Sequence, residues 1–245
     1  MGTAKSLQFD HRDRQRIYEY VERRGSVDPE TVREELLPED SRGFRHHVSM
    51  LRRDGHLTLT DDGELAVAFD DAGHEEFARG DQAFAVRPAR QEDLTGIVGV
   101  IRRVAEPGDH IVAETVAQEI DREDALLRHN EVESRMFFVA TVEDEVVGWA
   151  HFRAPELAKL RHTAELTVGV LPEYRGNGLG SHLLSRALEW AGQSGYEKVY
   201  QSVPATNDAA VEFLEAHGWE IEAVREDHYR IEDEYVDELM LAVEL

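Results

Sequence analysis

The spacing of apolar positions divides the chain at about residue 80. Before it, three helical stretches follow one another. Residues 10–24 carry Ile17, Tyr18, Tyr20 and Val21 and stop at Gly25, the residue type that most readily ends a helix. Asp28 is placed to cap a second helix reaching about Leu37, with Pro29 in its first turn and Glu30 complementing the helix dipole. In the third, over 41–53, Phe44, Val48 and Leu51 fall at i, i+4 and i+7 and mark one buried face. Residues 56–69 then alternate as a hairpin turning at Asp62-Gly63. Residues 70–82 are polar and aperiodic. The expected division is therefore a domain over 1–80, a linker over about 70–82 and a larger domain over 83–245.

In the larger part short β-periodic runs alternate with helices. Residues 83–87 read as a strand, and 93–104 and 111–130 as helices. Residues 136–142 and 145–152 read as strands joined tightly through Glu143-Asp144, hence antiparallel. The run 164–171 is a further strand, ended by Pro172, and a long helix follows with Leu179, Leu183, Leu184, Ala187 and Leu188 at helical spacing. A strand over 198–203, a helix capped by Asn207 or Asp208 and ending at Gly218, and two strands over 219–226 and 236–244 close the chain.

The stretch Arg175-Gly176-Asn177-Gly178-Leu179-Gly180 joins the 164–171 strand to the long helix. Glycines at a helix start let a ligand approach the backbone, and the unpaired N–H groups there, with the positive end of the helix dipole, favour an anion such as phosphate. No lysine follows as in a P-loop, and a Gly-x-Gly-x-x-Gly fingerprint would need glycine at Ser181. The Arg-x-x-Gly-x-Gly pattern between a strand and a helix resembles that of the GNAT family of acyl-CoA-dependent N-acyltransferases. The order of elements over about two-thirds of the chain resembles it too. So do Arg87-Pro-Ala with Gln-Glu-Asp93, Asn207-x-x-Ala210-x-x-Phe213 before Gly218-Trp219, and Tyr235-Val-Asp-Glu-Leu-Met240.

That resemblance implies an α/β (α+β) GNAT fold, with a central mixed, mostly antiparallel sheet flanked by helices. It implies an acetyl-CoA-dependent N-acetyltransferase that passes the acyl group directly to a primary amine, a protein lysine or a small amine. Val168, Gly169 and Val170 would hold the pantetheine arm, with Asn207 near it, and Arg175, Gly176, Asn177, Gly178, Leu179, Gly180 and Ser181 the pyrophosphate. The segment 164–170 resembles the bacterial protein-lysine acetyltransferases of the family, which makes Glu165 the general base. Many members carry a tyrosine acid after the position of Phe213. Here that position is Leu214, and Tyr229 and Tyr235 are the substitutes, with Tyr235 carried as the candidate. His110, His129, His151 and His162 flank the acceptor side, and none is singled out.

Three short helices and a hairpin at the start resemble a winged helix-turn-helix domain, whose third helix enters the DNA major groove. In the 41–53 helix the side away from the core carries Arg42, Arg45, His46, Ser49, Arg52 and Arg53 without an acid. The same face would equally serve contact with the larger domain or with a second copy in a homodimer. Residues 1–80 carry 12 basic and 18 acidic side chains against 15 and 33 in 81–245, so the first part is less acidic but not basic. Three readings follow: an acetyltransferase with a targeting module, a DNA-binding regulator whose larger domain senses acyl-CoA, and a chain whose first domain is an interaction module.

Composition narrows the setting. The formal charge is −24 and lysine occurs three times, arginine supplying the other cations. Such charge repels itself at low salt and is screened in concentrated salt, which implies a haloarchaeal host and a cytoplasmic protein. Cysteine is absent, which removes disulfides, cysteine zinc sites and a cysteine acyl-enzyme. The close pair His46-His47 lacks ligand spacing, so no metal is expected. No apolar run approaches the ~20 residues a membrane-spanning helix needs.

Overall fold

The computed structural model describes residues 9–60, 62–68, 75–79, 82–106, 108, 110–130 and 132–245. The amino-terminal elements are α1 (Arg12–Glu22), β1 (Ser26–Val27), α2 (Pro29–Leu36), α3 (Ser41–Arg53), β2 (Leu57–Leu59) and β3 (Leu65–Val67). Local chemistry sets their ends. Asp28 accepts from the Thr31 N–H at 2.9 Å to start α2, and Asp40 from the Gly43 N–H at 2.8 Å to start α3. Ile17, Tyr18, Val21, Val32, Phe44 and Leu51 bury against Leu57 and Leu65 of a small antiparallel sheet, ordered β1-β3-β2.

The larger unit contains β4 (Glu75–Arg79), β5 (Gln82–Pro88), α4 (Leu94–Ala105), α5 (Ile111–Glu123), β6 (Arg128–His129), β7 (Glu133–Val142), β8 (Glu145–Pro155) and β9 (Thr163–Val170). After these come α6 (Leu179–Gln193), β10 (Lys198–Pro204), α7 (Asp208–Glu215), β11 (Glu220–Ile231) and β12 (Glu234–Glu244). Among the described residues the strands form one mixed sheet ordered β11-β12-β10-β9-β8-β7-β5-β4, with β6 beside β7. β9 and β10 are its parallel pair, and the other pairings are antiparallel. Side chains alternate across the sheet, so each face has its own cover. α6 lies on the face of Phe138, Phe152 and Leu166, where Trp190 meets Phe152 edge-on at 5.0 Å. α4 and α5 cover the face of Phe137, His151 and Arg135.

Three expectations change. The second helix of this unit stops at Glu123 rather than Asn130, because Asp124 turns left-handed (φ 53°) and Arg128–His129 pair with β7. Within the expected linker, residues 75–79 form β4. Phe77 stacks on Phe84 at 5.5 Å and on His182 of α6 at 3.9 Å, contacts the polar composition of the segment conceals. Positions 70–74, 80 and 81 of that segment, and Asp61 and Phe69 of the expected hairpin, lie outside the described residues. The closing strands run on to a turn at Glu232-Asp233, both at positive φ, so the β11–β12 hairpin is longer than expected.

The two units touch along the end of α1. The Tyr18 hydroxyl donates to the His129 carbonyl at 2.5 Å, and Asn130 donates to Glu22 at 3.1 Å. Gly25 follows α1 at φ +73°, where a side-chain carbon would come within 2.2 Å of the Gln91 amide oxygen. No helix among the described residues is long and apolar enough to cross a membrane.

Candidate functional site

β9 and β10 pair for three residues and then part. Their ladder joins Thr163 to Lys198, Ala164 to Val199 and Glu165 to Tyr200. Beyond it β9 stays bonded to β8 as far as Val170, and β10 to β12 as far as Pro204. The facing backbone edges of 166–170 and 201–204 therefore open onto a gap, and backbone N–H and C=O groups are obligatory hydrogen-bonding groups. An extended ligand carrying amides can satisfy them. Val168 and Val170 turn their backbone groups to this edge, whereas Gly169, opposite Trp149 in the register of the Leu171 N–H to Val147 carbonyl bond, turns its own to β8.

β9 runs from the gap into the glycine loop. The Arg175 side chain donates through Nε to the Val170 carbonyl at 3.0 Å, and the Asn177 amide to the Tyr174 carbonyl at 3.3 Å. Both polar side chains thus brace the loop. Gly176 and Gly178 sit at φ +77° and +83°, a region that strains any other residue except Asn or Asp. A side-chain carbon at Gly176 would meet nothing within 4 Å, so the loop surface is open there. Gly178 caps α6 without a side chain, and the helix ladder begins with the His182 N–H bonding the Gly178 carbonyl at 3.0 Å. The N–H groups of Leu179, Gly180 and Ser181 are left without a helical partner at the positive end of a 15-residue helix. Gly180 also lets α6 approach Phe213 of α7, whose ring would lie 3.4 Å from a side-chain carbon.

Not every expected contact involves a side chain. Leu179 is buried in the core and offers only its backbone. The Ser181 hydroxyl is engaged with His217 Nε2 at 2.9 Å, while His217 Nδ1 donates to the Phe213 carbonyl at 2.7 Å. The Asn207 oxygen accepts from the Ala210 N–H at 3.2 Å as the α7 cap. Leu214 is buried. Tyr235 is not brought to Glu165. It is 68% exposed near the hairpin turn, and strand alternation puts it on the face opposite Glu238 and Glu165. The tyrosine that does reach the site is Tyr229, whose hydroxyl donates to Glu238 at 2.9 Å.

Around Glu165 the register assembles groups distant in sequence. Arg153 stands directly opposite on β8, Tyr200 opposite on β10, and Glu238 reaches the same side from β12. Burial pushes the half-buried Glu165 carboxyl above the ordinary carboxylate range; Arg153 pulls it down and Glu238 pushes it further up. Burial also works against the charge of Glu238. There hydrogen bonds from Ser202 and Tyr229 and the charges of His228 and Arg225 prevail, and its pKa is lowered. The two neighbouring carboxylates are thus shifted in opposite directions, Glu165 up and Glu238 down. Burial and Glu238 raise the Tyr229 phenol. His151, wholly buried opposite Thr167, is held neutral by burial and by Arg135 and Arg153. Arg153 and Glu238 carry no local motif; the alternation of strands 145–152 and 164–171 is the one sequence signal that could have aligned Arg153 with Glu165.

On α3, Arg42, Arg45, His46, Ser49, Arg52 and Arg53 are all exposed while Phe44 and Leu51 are buried. Arg53 pairs with Asp54 at 2.9 Å. Away from both regions His11, Asp13 and His47 come within 4.8 Å of one another. His11 Nδ1 accepts from the Asp13 N–H and Asp13 pairs with Arg16, while the His47 imidazole lies 4.4 Å from that of His11 at 31° with its buried Nδ1 unpaired among the described residues.

Residues 97–219 match the sequence model of the acetyltransferase (GNAT) family. N-alpha-acetyltransferase 50 of Danio rerio is 26% identical over 93 residues, 38% of this chain and 55% of that protein. The chain spans between 38% and 55% of the length of the curated relatives it matches. Among solved structures, an acetyltransferase of the GNAT family from Streptococcus pneumoniae superposes with a TM-score of 0.54 at 23% identity, over 66% of this chain and 99% of that one. Salmonella typhimurium yncA, solved with its cofactor acetyl-CoA, gives 0.54 at 20% identity over 66% and 94%. Similarity at this level speaks to the fold.

Because the folded state holds the Glu165 proton more tightly than the unfolded chain, that group favours folding fully below its ordinary pKa of 4.5, and the contribution is lost as pH rises through the folded value. Glu165→Gln is expected to raise the thermal midpoint at pH 7, with the gain fading as pH approaches about 4. Equal midpoints at pH 7 would contradict the burial argument.

Proposed function

The chain belongs to the GNAT acetyltransferase family, and from that premise we propose that it is an acetyl-CoA-dependent N-acetyltransferase acting on a primary amine, carried by a protein lysine or a small molecule. The observation that carries this reading is the gap between β9 and β10, which leads straight into an open glycine loop and an uncapped helix start. The donor set fits acetyl-CoA. Strand-edge amides of Val168 and Val170 suit the amide-bearing arm, with Gly169 between them, and the loop N–H groups from Gly176 to Ser181 suit the pyrophosphate.

The amine arrives as an ammonium, titrating near ~10.4 for lysine, and must lose a proton before it can attack. Glu165, raised by burial, takes that proton, directly or through a water. The nitrogen bonds to the thioester carbon and the C–S bond breaks. A β9 N–H faces the developing oxyanion, and the coenzyme A thiolate leaves and is protonated by solvent. No covalent enzyme intermediate is required. Tyr229 replaces Tyr235 as the tyrosine nearest this chemistry, though its raised pKa and its bond to Glu238 suit a structural hydroxyl better than a proton donor.

A second reading concerns the amino-terminal unit. The exposed arginine face of α3 favours a winged-helix DNA contact, in which the larger unit would act as an acyl-CoA sensor or as an enzyme targeted to DNA. The charge of −24 supports a haloarchaeal, cytoplasmic setting with concentrated salt.

Calorimetric titration of acetyl-CoA in concentrated KCl tests the main reading. Wild type should bind, and Gly178→Glu, which sets bulk and negative charge at the loop, should not. Glu165→Gln should bind normally yet lose about 10²–10⁴-fold in kcat/KM against responsive amines. Folded wild type without acetyl-CoA binding would overturn the reading, and full activity retained in dilute buffer would overturn the concentrated-salt setting. For α3, duplex DNA binding followed by fluorescence anisotropy across KCl concentrations should weaken steeply with salt and vanish in Arg45→Glu/Arg52→Glu. Absence of binding by wild type at low salt would dismiss the DNA reading.

A further inference from the structure

Three arginines and three glutamates close a ring beneath the acceptor side of the sheet. Arg128 Nη1 lies 3.6 Å from Glu133 Oε1, and Glu133 Oε2 lies 2.8 Å from Arg153 Nε. Arg153 Nη1 is 3.5 Å from Glu119 Oε2, and Glu119 Oε1 is 3.1 Å from Arg135 Nη1. Arg135 Nη2 is 2.8 Å from Glu123 Oε2, and Glu123 Oε1 returns to Arg128 Nη1 at 3.1 Å. Each carboxylate divides its two oxygens between two arginines, so no member moves alone. Arg135, almost wholly buried, also donates to the Leu126 and Ala125 carbonyls, which anchors the ring in the fold.

The ring has two attachments. On one side Glu22, a buried residue at the end of α1, lies 3.0 Å from Arg128 Nε and accepts from Asn130 at 3.1 Å, so the amino-terminal unit closes onto it. On the other side Arg153 stands opposite Glu165 in the β8–β9 register. No ion pair within 4 Å joins Arg153 to Glu165 among the described residues, because Glu133 and Glu119 claim the guanidinium. An arginine released from those two glutamates would close onto Glu165 and keep it a bare carboxylate, a weaker base.

We propose that Arg153 is the positioning residue for Glu165, held at its distance by this ring, and that the ring extends that control to the amino-terminal unit through Glu22. The inference rests on Glu165 acting as the base. The other titratable or charged groups facing Glu165 are Glu238 from β12, Tyr200 from β10 and Tyr229 from β11, with Arg135 and Glu133 behind it on β7 and Glu119 on α5. None of these links it to α1 except through the ring.

The test is the titration of the Glu165 carboxyl by ¹³C NMR in the full-length chain, its resonance assigned by disappearance in Glu165→Gln. Arg153→Gln should move the midpoint up by about one pH unit, the size a nearby opposite charge commands. Glu133→Gln should move it down, Glu22→Gln down by less, and Arg153→Lys should restore most of the wild-type value. Arg102→Gln, which breaks the exposed Arg102–Asp121 pair outside the ring, should leave it unchanged. A wild-type midpoint in folded Arg153→Gln or folded Glu22→Gln would overturn the proposal. If Arg153→Gln does not fold, the Glu133 and Glu22 variants decide it. Acetyl transfer unaffected by Glu165→Gln would instead overturn the base reading, and with it the role of Arg153, whatever the midpoints do.

Discussion

The structure turns on a parallel pairing that stops early. β9 and β10 are joined over three residue pairs, and each then follows its other neighbour, β8 or β12. A continuous sheet would satisfy its own backbone. This one presents two strand edges to each other across a gap, and unsatisfied buried amides are costly enough that such an arrangement calls for a ligand or water. β12, inserted between β10 and β11, holds the outer half in place so that the gap persists. Gly169 has its own part: a side-chain carbon there would meet the Trp149 ring at 2.1 Å, so the indole can lie flat beneath the strand only where a side chain is missing.

Electrostatics follow from the same geometry. The helix that starts at Gly178 points its positive end at the mouth of the gap, in a chain whose formal charge is −24. An anionic ligand bound there would be drawn by oriented backbone dipoles and not by lysines, and dipoles at close range are less exposed to screening by salt than long-range surface charge. On the opposite face burial raises Glu165, while hydrogen bonds and cations keep Glu238 charged. The same carboxylate type is tuned in opposite directions by its neighbours. The abundance of acids also supplies the glutamates that bind the α5 helix to β7 and β8.

What was legible in the sequence was local. Asp28 as a helix cap, Glu143-Asp144 as a tight turn and the strand–loop–helix around Gly178 each announce themselves within a few residues, and the family fold follows from their order. What was hidden depended on register. Arg153 comes opposite Glu165 because the connection between β8 and β9 fixes their alignment, and Glu238 arrives from a strand more than seventy positions along the chain. The face on which Tyr235 lies was hidden for the same reason, since a one-residue step along a strand changes the face. The end of α5 at Asp124 is a left-handed turn at a residue that need not adopt one, and the Phe77 contacts behind β4 are tertiary. Neither leaves a mark in composition.

The most direct test of the account is amide hydrogen–deuterium exchange of the full chain with and without acetyl-CoA in concentrated KCl. Binding in the gap should slow exchange in two segments together, 166–170 on the open edge of β9 and 176–181 in the loop and first turn of α6, while the small amino-terminal sheet is unchanged. Protection confined to other segments, with these amides exchanging as in the free protein, would contradict the placement of the acyl donor between β9 and β10.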